Sequence, residues 1–194
     1  MEFSTAVFTN LSRDHIGPSE HANMEEYAEA KAILYSMSRN ALINADNDWS
    51  GFMLERARAS VSGRVHTYGL GEGVSFRAAN VRKFPEHVEF DCVEQFEPGK
   101  TLIQAVHVPI PGKFTVYNAL AAYGAMRLEG VSPEKCAEGL AKVAVSGKAE
   151  VVPTGRDFTV IIDYAHNPDS FINILTTVKE FAKRTVFLFG CGGD

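Results

Sequence analysis

The chain has 194 residues, of which 45% are hydrophobic and 22% are charged, with a formal net charge of −5. This balance predicts a buried core, and it differs from the composition of disordered chains and from the basic surface of nucleic-acid-binding proteins. No apolar run is long enough to cross a membrane, and three widely spaced cysteines give no sign of a disulfide framework, which favours a reducing cytoplasm.

The first half of the chain carries strand and helix signals in turn. Residues 4–11 are expected to form a buried strand and residues 24–37 a helix, with Asn23 as N-cap and Glu26 completing a capping box. A strand at NALINAD and a helix at DWSGFMLERARA follow. Between residues 64 and 111, short alternating segments broken by glycine and proline predict antiparallel strands or hairpins.

The second half begins with two predicted helices, KFTVYNALAAYGAMRLEG and SPEKCAEGLAKV. Residues 158–190 then spell one right-handed βαβ unit, with strands at FTVIIDYA and TVFLFG on either side of a helix. We expect the last strand to be poorly covered from Val186 to Phe189. The sequence thus predicts an α/β protein whose domain boundary lies near Pro153, giving domains of residues 1–153 and 154–194.

Lys31 is a charged residue on an apolar helix face that also carries Tyr27 and Leu34. Either its stem packs there while the ammonium reaches solvent past Tyr27, or the lysine is functional, because a buried unpaired ammonium is costly. His15 lies in the loop between the first strand and the first helix, where open α/β sheets place their sites. It is either a metal ligand or a solvated side chain.

Asn118 and Asp163 also break the apolar pattern. Asn118 stands on an apolar helix face, and a buried amide, with both donor and acceptor, suits an adenine edge. The alternative is a hydrogen bond to neighbouring backbone. Asp163 stands between a strand end and a helix N-terminus, a position suited to a ribose hydroxyl or a cation. The alternative is that it helps to cap the helix.

Six blocks in this order resemble the Mur ligases, and among them the UDP-N-acetylmuramoyl-tripeptide synthetase branch. The blocks are FTNLSRDH, EEYAEAKAILYS, INAD, IPGKFTVYNALAA, VIIDYAHNPDS and VFLFGCGGD. The resemblance implies that residues 1–153 are the latter part of a central ATP-binding domain, with a parallel sheet plus small antiparallel strands. Residues 154–194 would begin a Rossmann-like C-terminal domain.

The resemblance also implies an activity. Such ligases use ATP and Mg²⁺ to activate the carboxylate of a UDP-N-acetylmuramoyl peptide as an acyl phosphate, which an amino acid attacks to form an amide in peptidoglycan synthesis. Lys31 aligns with a carbamylated lysine of the family, whose carbamate oxygens bind Mg²⁺ as an ammonium cannot. His15 aligns with a ligand of a second magnesium ion.

Three further positions follow from the same alignment. Asn118 corresponds to the adenine contact and Asp163 to a nucleotide contact of the C-terminal domain. Lys148 stands where the family has an arginine, so it keeps the charge for a phosphate contact without the bidentate fork. Gly17 departs from the pattern, because the family usually has an aspartate there.

The phosphate-binding loop G-x-x-G-K-[ST], which precedes these blocks in the family, does not occur in the sequence. We therefore expect the chain to be part of a longer ligase and to be inactive alone. The alternatives are a related amide ligase of the cyanophycin or folylpolyglutamate synthetase type and a non-catalytic nucleotide-binding module. An NAD-dependent oxidoreductase is disfavoured, because YAHNPD and not G-x-G-x-x-G follows the strand VIID.

Overall fold

The computed structural model describes residues 2–13, 16–17 and 20–190, apart from the side chain of Asp169. The chain has an α/β fold, as predicted, with a main sheet of six strands and a second sheet of two. Within the described residues, no helix is both long enough and apolar enough to span a bilayer.

The main sheet keeps its strands in chain order. Its strands are β1 Phe3–Phe8, β2 Ser38–Asn44, β3 Val65–Gly69, β4 Phe76–Lys83, β5 Val88–Glu94 and β6 Leu102–Val108. Strands β1 to β4 pair in parallel, whereas β4, β5 and β6 pair antiparallel. The antiparallel prediction for residues 64–111 is thus right for β4 to β6 and wrong for β3. The helix between β2 and β3 is a crossover, and a crossover returns the chain parallel to its starting strand.

Five α-helices pack on the strands or follow them within the described residues. They are α1 Met24–Ala32, α2 Ser50–Ser60, α3 Lys113–Leu128, α4 Pro133–Leu140 and α5 Pro168–Lys179. The Asn23 cap is confirmed, since its side chain accepts a bond from the Glu26 amide at 2.8 Å. The Glu26 carboxylate reaches the amide of Ala22, one residue before the N-cap. The helix predicted over residues 24–37 is divided, because a 3₁₀ helix, Ile33–Met37, follows α1.

Helices cover both faces of the parallel strands and give the protein two hydrophobic clusters. Leu42 on β2 points to the cluster of α3 and α4, and its neighbours Ala41 and Ile43 point to the cluster of α1 and α2. All three side chains are fully buried. Burial on both faces explains why this strand reads as a continuous apolar run.

Helix α3 approaches the sheet most closely at Gly124. A Cβ atom at this position would lie 2.9 Å from Cδ2 of Leu42 and 3.0 Å from Cδ2 of Phe76. Both neighbours are fully buried, and the Phe76 ring is also stacked on Phe96, so neither side chain has room to give way. Glycine at 124 therefore sets the distance between α3 and the sheet.

Glu94, at the end of β5, is a buried carboxylate with only 3% of its side chain exposed. It accepts hydrogen bonds from the Tyr123 hydroxyl and from Nε of Arg127, both on α3. Arg127 also donates to the carbonyl of Val131 at 2.6 Å. Burial, and then the bond to Glu94, raise the pKa of Tyr123. This network holds α3 to the antiparallel side of the sheet.

The last part of the chain departs from the predicted βαβ unit. Strand β7 Glu150–Val152 pairs antiparallel with β8 Val160–Ile162, and α5 follows. The strand predicted at TVFLFG is wrong, because residues 185–190 have no regular secondary structure. Within the described residues no strand lies beside this segment to satisfy its backbone groups. The predicted poor coverage of Val186 to Phe189 is confirmed, with Leu188 96% exposed.

We expect Gly124→Ala to lower the free energy of unfolding by about 1–3 kcal/mol, the usual cost of overpacking a core. Urea denaturation measures this change. Gly139→Ala on α4 is the matched control, since no atom lies within 4 Å of the Cβ position there. Alanine favours a helix over glycine by up to about 1 kcal/mol, so the control should be neutral or slightly stabilised. Equal stability of the two variants would contradict the proposed constraint.

Glu94→Gln should destabilise the fold by about 3 kcal/mol in the same measurement, because it leaves the mostly buried guanidinium of Arg127 without its counter-charge. Glu97→Gln removes the exposed partner of Lys100 and is the control, with no measurable loss expected. A Glu94→Gln variant as stable as this control would show that the buried pair is not a major stabilising contact.

Candidate active site

A cavity of about 410 Å³ lies at the carboxyl edge of the parallel strands. Thr9 and Asn10 reach it after β1, Asn44 from the end of β2, Lys113 from the start of α3 and Asn173 from α5. The carboxyl edge of an open α/β sheet is the usual place for a ligand. This cavity, the carboxyl-edge cavity, is therefore the leading candidate for the active site.

Asn44 and Asp46 brace this edge. The buried Asn44 amide donates to the carbonyl of Thr9 at 2.7 Å and accepts from the backbone of Asp46 at 3.0 Å. Oδ2 of Asp46 accepts from the amide of Leu70 at 2.7 Å and from the Tyr117 hydroxyl at 3.0 Å. Together these bonds connect the ends of β1, β2 and β3 to α3. These bonds hold the edge of the cavity in position without a ligand.

The first turn of α3 gives the cavity a positive wall. Gly112 precedes the helix with φ of +99°, a conformation that favours glycine. The Lys113 ammonium follows, 5.8 Å from the centre of the Tyr117 ring. A helix N-terminus and a lysine together attract anions. The charges at this edge therefore suit a phosphate-bearing ligand.

Asn118 lines this cavity, but the sequence-based reason for choosing it is wrong. It was expected on a buried face, whereas its side chain is exposed and α3 buries Val116, Leu120 and Tyr123 instead. Within the described part of the chain, its amide makes no hydrogen bond, so it is open to a ligand. Its adenine contact stays a prediction.

Lys31 is exposed, and helix α1 buries Ala28 and Ala32 instead. This agrees with the alternative in which the ammonium reaches solvent past Tyr27, and the functional role of Lys31 stays a prediction. The ammonium lies 5.1 Å from the centre of the Tyr27 ring. Lys31 does not line the carboxyl-edge cavity.

Lys148 and Asp163 do not line the cavity that Asn118 lines. Lys148 is exposed and lines a second cavity, of about 590 Å³, which Lys31 does not line either. Asp163 lines neither cavity, and its carboxylate accepts from the backbone amides of Ala149 and Ala165, each at 2.8 Å. It thus fixes a turn and does not cap α5, whose N-cap is Asn167. His15, the predicted metal ligand, lies outside the described residues.

The sequence-based reasoning missed Asn44, Asp46 and Tyr117 as site residues. The signal was present in INAD, where polar residues follow a buried strand, the same pattern that singled out Asp163. Tyr117 belongs to the apolar pattern of KFTVYNALAAYGAMRLEG, so nothing in the sequence marks it as a site residue. Its hydroxyl is instead the bond that ties α3 to the carboxyl edge.

Comparison with known proteins identifies the family. A model described as the Mur ligase middle domain matches residues 1–126. The chain belongs to the Mur ligase family. A second model, described as the Mur ligase glutamate ligase domain, matches residues 147–194. The predicted resemblance is confirmed, while the predicted boundary near Pro153, between β7 and β8, stays a prediction.

Members of the family are similar over the whole chain. The UDP-N-acetylmuramoyl-L-alanyl-D-glutamate–2,6-diaminopimelate ligase of Caldanaerobacter subterraneus subsp. tengcongensis is 40% identical over 195 residues, which cover 100% of this chain and 38% of the relative. A solved structure of a ligase with the same name has a TM-score of 0.75 at 31% identity, over 98% of this chain and 39% of that one.

The folylpolyglutamate synthetase of Lactobacillus casei has a TM-score of 0.71 at 14% identity, over 94% of this chain and 43% of that one, which shows a shared fold only. The chain spans 38–40% of the length of the curated Mur ligase relatives that it matches.

Removing the Tyr117 hydroxyl should change how stability depends on pH. Burial, and then the bond to Asp46, raise the pKa of Tyr117 above the ordinary value near 10. Above about pH 10 the unfolded state loses this proton first, so stability is complete below that pH and is lost as the pH rises further. Tyr117→Phe should reduce the slope of unfolding free energy against pH, between about pH 10 and 11. The reduction should be at most the slope that one titrating proton contributes.

The control for this experiment is Tyr164→Phe, which removes a tyrosine that is 71% exposed. It should keep the wild-type slope. Urea denaturation at a series of pH values measures both variants. If Tyr117→Phe and Tyr164→Phe give the same slope, the bond between Tyr117 and Asp46 does not hold the proton as described.

Proposed function

We propose that this chain is part of a cytoplasmic, ATP-dependent ligase that adds an amino acid to a UDP-N-acetylmuramoyl peptide in peptidoglycan synthesis. The observation that carries the proposal is the 40% identity, along the entire chain, to a ligase named for UDP-N-acetylmuramoyl-L-alanyl-D-glutamate and 2,6-diaminopimelate. The acid named for that relative is the first acceptor to test.

The carboxyl-edge cavity supports a role in ATP binding. It combines the aromatic side chains of Phe114 and Tyr117 with the exposed amide of Asn118 and the Lys113 ammonium. Aromatic walls with a few convergent polar groups are typical of small-molecule sites. We assign the Asn118 amide to the adenine edge, and Lys113 with the N-terminus of α3 to the phosphates.

Lys31 suits a magnesium ligand only after modification. An ammonium offers three donors and no acceptor, whereas a carbamate offers the anionic oxygens that Mg²⁺ requires. Its side chain is exposed and makes no ion pair with described residues, so the amine is accessible to carbon dioxide. Magnesium would offset the repulsion between the substrate carboxylate and the triphosphate. We propose carbamylated Lys31 and His15 as its protein ligands.

We assign Lys148 to a phosphate contact and Asp163 to a nucleotide contact. The amides of Ala149 and Ala165 occupy each Asp163 oxygen once, which leaves acceptor capacity for a ribose hydroxyl. The sequence contains no G-x-x-G-K-[ST] loop, so Lys113, the N-terminus of α3 and Lys148 are assigned to the phosphates in general and not to a particular one. The first alternative, an amide ligase of the folylpolyglutamate synthetase type, would share this fold. The second alternative, a non-catalytic module, would bind nucleotide without catalysing a reaction.

A chimera tests the proposal. The region of the Caldanaerobacter subterraneus ligase that aligns with this chain is replaced by the 194 residues, so the relative supplies the rest of the enzyme. We expect the purified chimera to release phosphate only with ATP, Mg²⁺, UDP-N-acetylmuramoyl-L-alanyl-D-glutamate and 2,6-diaminopimelate together. The isolated chain should release none. A folded chimera that binds ATP without any turnover would support the non-catalytic module instead.

Two lysine variants of the chimera test the assigned site. Lys31→Ala should lower kcat by at least about 100-fold, the scale on which loss of one transition-state electrostatic contact is felt. Lys142→Ala, an exposed lysine just after α4, should have no effect. Incubating the isolated chain with ¹³C-bicarbonate should give a carbamate signal in the NMR spectrum that Lys31→Arg removes. Unchanged turnover in Lys31→Ala would remove Lys31 from the mechanism.

A further inference from the structure

Three metal-ligating side chains meet on the antiparallel side of the main sheet, away from the carboxyl-edge cavity. Glu89 on β5 is the cross-strand partner of His107 on β6. His87 immediately precedes β5, and its Nε2 lies on the same side of the sheet as the Glu89 carboxylate, 3.7 Å from Oε1. The ladder between β5 and β6 therefore brings two imidazoles and one carboxylate together.

Their atoms face one another without being hydrogen-bonded. Oε1 of Glu89 lies 3.7 Å from Nε2 of His87 and 3.7 Å from Nδ1 of His107. These separations exceed hydrogen-bond length. One ligand atom from each residue lies within 4.8 Å of the other two. In a tetrahedral zinc site with bonds of about 2.0–2.1 Å, ligand atoms are roughly 3.4 Å apart, so only small inward movements are needed.

Neighbouring groups orient the cluster. The other carboxylate oxygen of Glu89, Oε2, accepts two hydrogen bonds from Arg82, at 2.8 and 3.1 Å, which leaves Oε1 directed toward the histidines. The ring of Phe84 is stacked on His87 at 4.2 Å between centroids. Outer contacts of this kind hold metal ligands in position and are a regular part of metal sites.

The cluster is accessible from solvent. The exposed fractions of the side chains are 29% for His87, 32% for Glu89 and 45% for His107. Both histidines line the cavity of about 590 Å³ that also contains Lys148. An ion held by the three residues would thus keep its remaining coordination positions open to water in that cavity.

We propose that His87, Glu89 and His107 bind one divalent transition-metal ion of the Zn²⁺ class. Two imidazole nitrogens and one carboxylate oxygen favour zinc, cobalt, nickel or copper, whereas Mg²⁺ prefers oxygen ligands and an octahedral shell. The bound ion links the two strands of the β5–β6 hairpin. The proposed metal site does not include Lys31, Asn118 or Asp163, although Lys148, which is assigned to a phosphate contact, lines the same cavity.

Zinc titration of the full-length chain, stripped of metal with a chelator, tests the proposal. A Cys191→Ser background removes a competing thiol near the chain end. We expect calorimetry to show one equivalent of Zn²⁺ bound, with no competition from millimolar Mg²⁺. Added Zn²⁺ should also raise the thermal midpoint, since it binds the folded state. Cobalt should give the visible absorption of a low-coordinate site with nitrogen ligands.

Two pairs of variants locate the ion. Glu89→Gln keeps the shape of the side chain and should weaken zinc binding at least about tenfold, as should His107→Ala. Glu86→Gln changes a carboxylate of the same cavity outside the ligand set, and His166→Ala removes a distant exposed histidine. Both controls should bind zinc like the parent. Circular dichroism without metal verifies that each variant is folded, and His107→Gln replaces His107→Ala if the latter unfolds.

Two results would overturn the proposal. One is a parent chain that binds no zinc at millimolar concentration. The other is a Glu89→Gln variant that binds zinc, and absorbs with cobalt, like Glu86→Gln. Because neither readout depends on ligase activity, a failed chimera and a failed metal site remain distinguishable.

Discussion

The close contact of α3 with the sheet at Gly124 is the constraint on which the candidate active site depends. With no Cβ at this position, the helix rests directly on Leu42 and Phe76, and the Glu94 network holds its far end. That position brings the Tyr117 hydroxyl within 3.0 Å of Asp46. A methyl group at position 124 would move α3 away from the sheet and lengthen this bond. The packing of the core therefore determines the geometry of the site.

The polar groups at the carboxyl edge divide into two sets. Asn44 donates to the carbonyl of Thr9, and Asp46 accepts from the amide of Leu70. These bonds hold the strand ends in register. Asn118 has no such partner within the described residues, and Lys113 contacts only a ring face. Asn44 and Asp46 therefore support the edge structurally, whereas Asn118 and Lys113 are accessible to a ligand.

The sequence predicted those parts of the fold that depend on local signals. The Asn23 cap and the strand end before Asp163 follow from residue chemistry within a few positions. Asn118 was placed on the wrong face, because a small error in helical phase moves a side chain from core to solvent. For Lys31 the sequence left two interpretations open, and its exposure agrees with the one in which the ammonium reaches solvent past Tyr27. The βαβ prediction failed at TVFLFG, since a strand requires a partner that no local pattern can supply.

The two cavities impose a condition on the proposed nucleotide site. Asn118 lines the carboxyl-edge cavity, whereas Lys148 lines the other one beside His107. One nucleotide that contacts both residues must reach from the carboxyl-edge cavity to the second cavity. The segment carrying β7, β8 and α5 is attached by Thr177 beside Gly112 and by an ion pair between Lys83 and Glu180. A partly exposed ion pair contributes about 1 kcal/mol or less, so the buried side chains of α5, Ile174 and Thr177, do more than this pair to hold the segment against α3. A joint role for Asn118 and Lys148 in nucleotide binding therefore requires a ligand that spans both cavities.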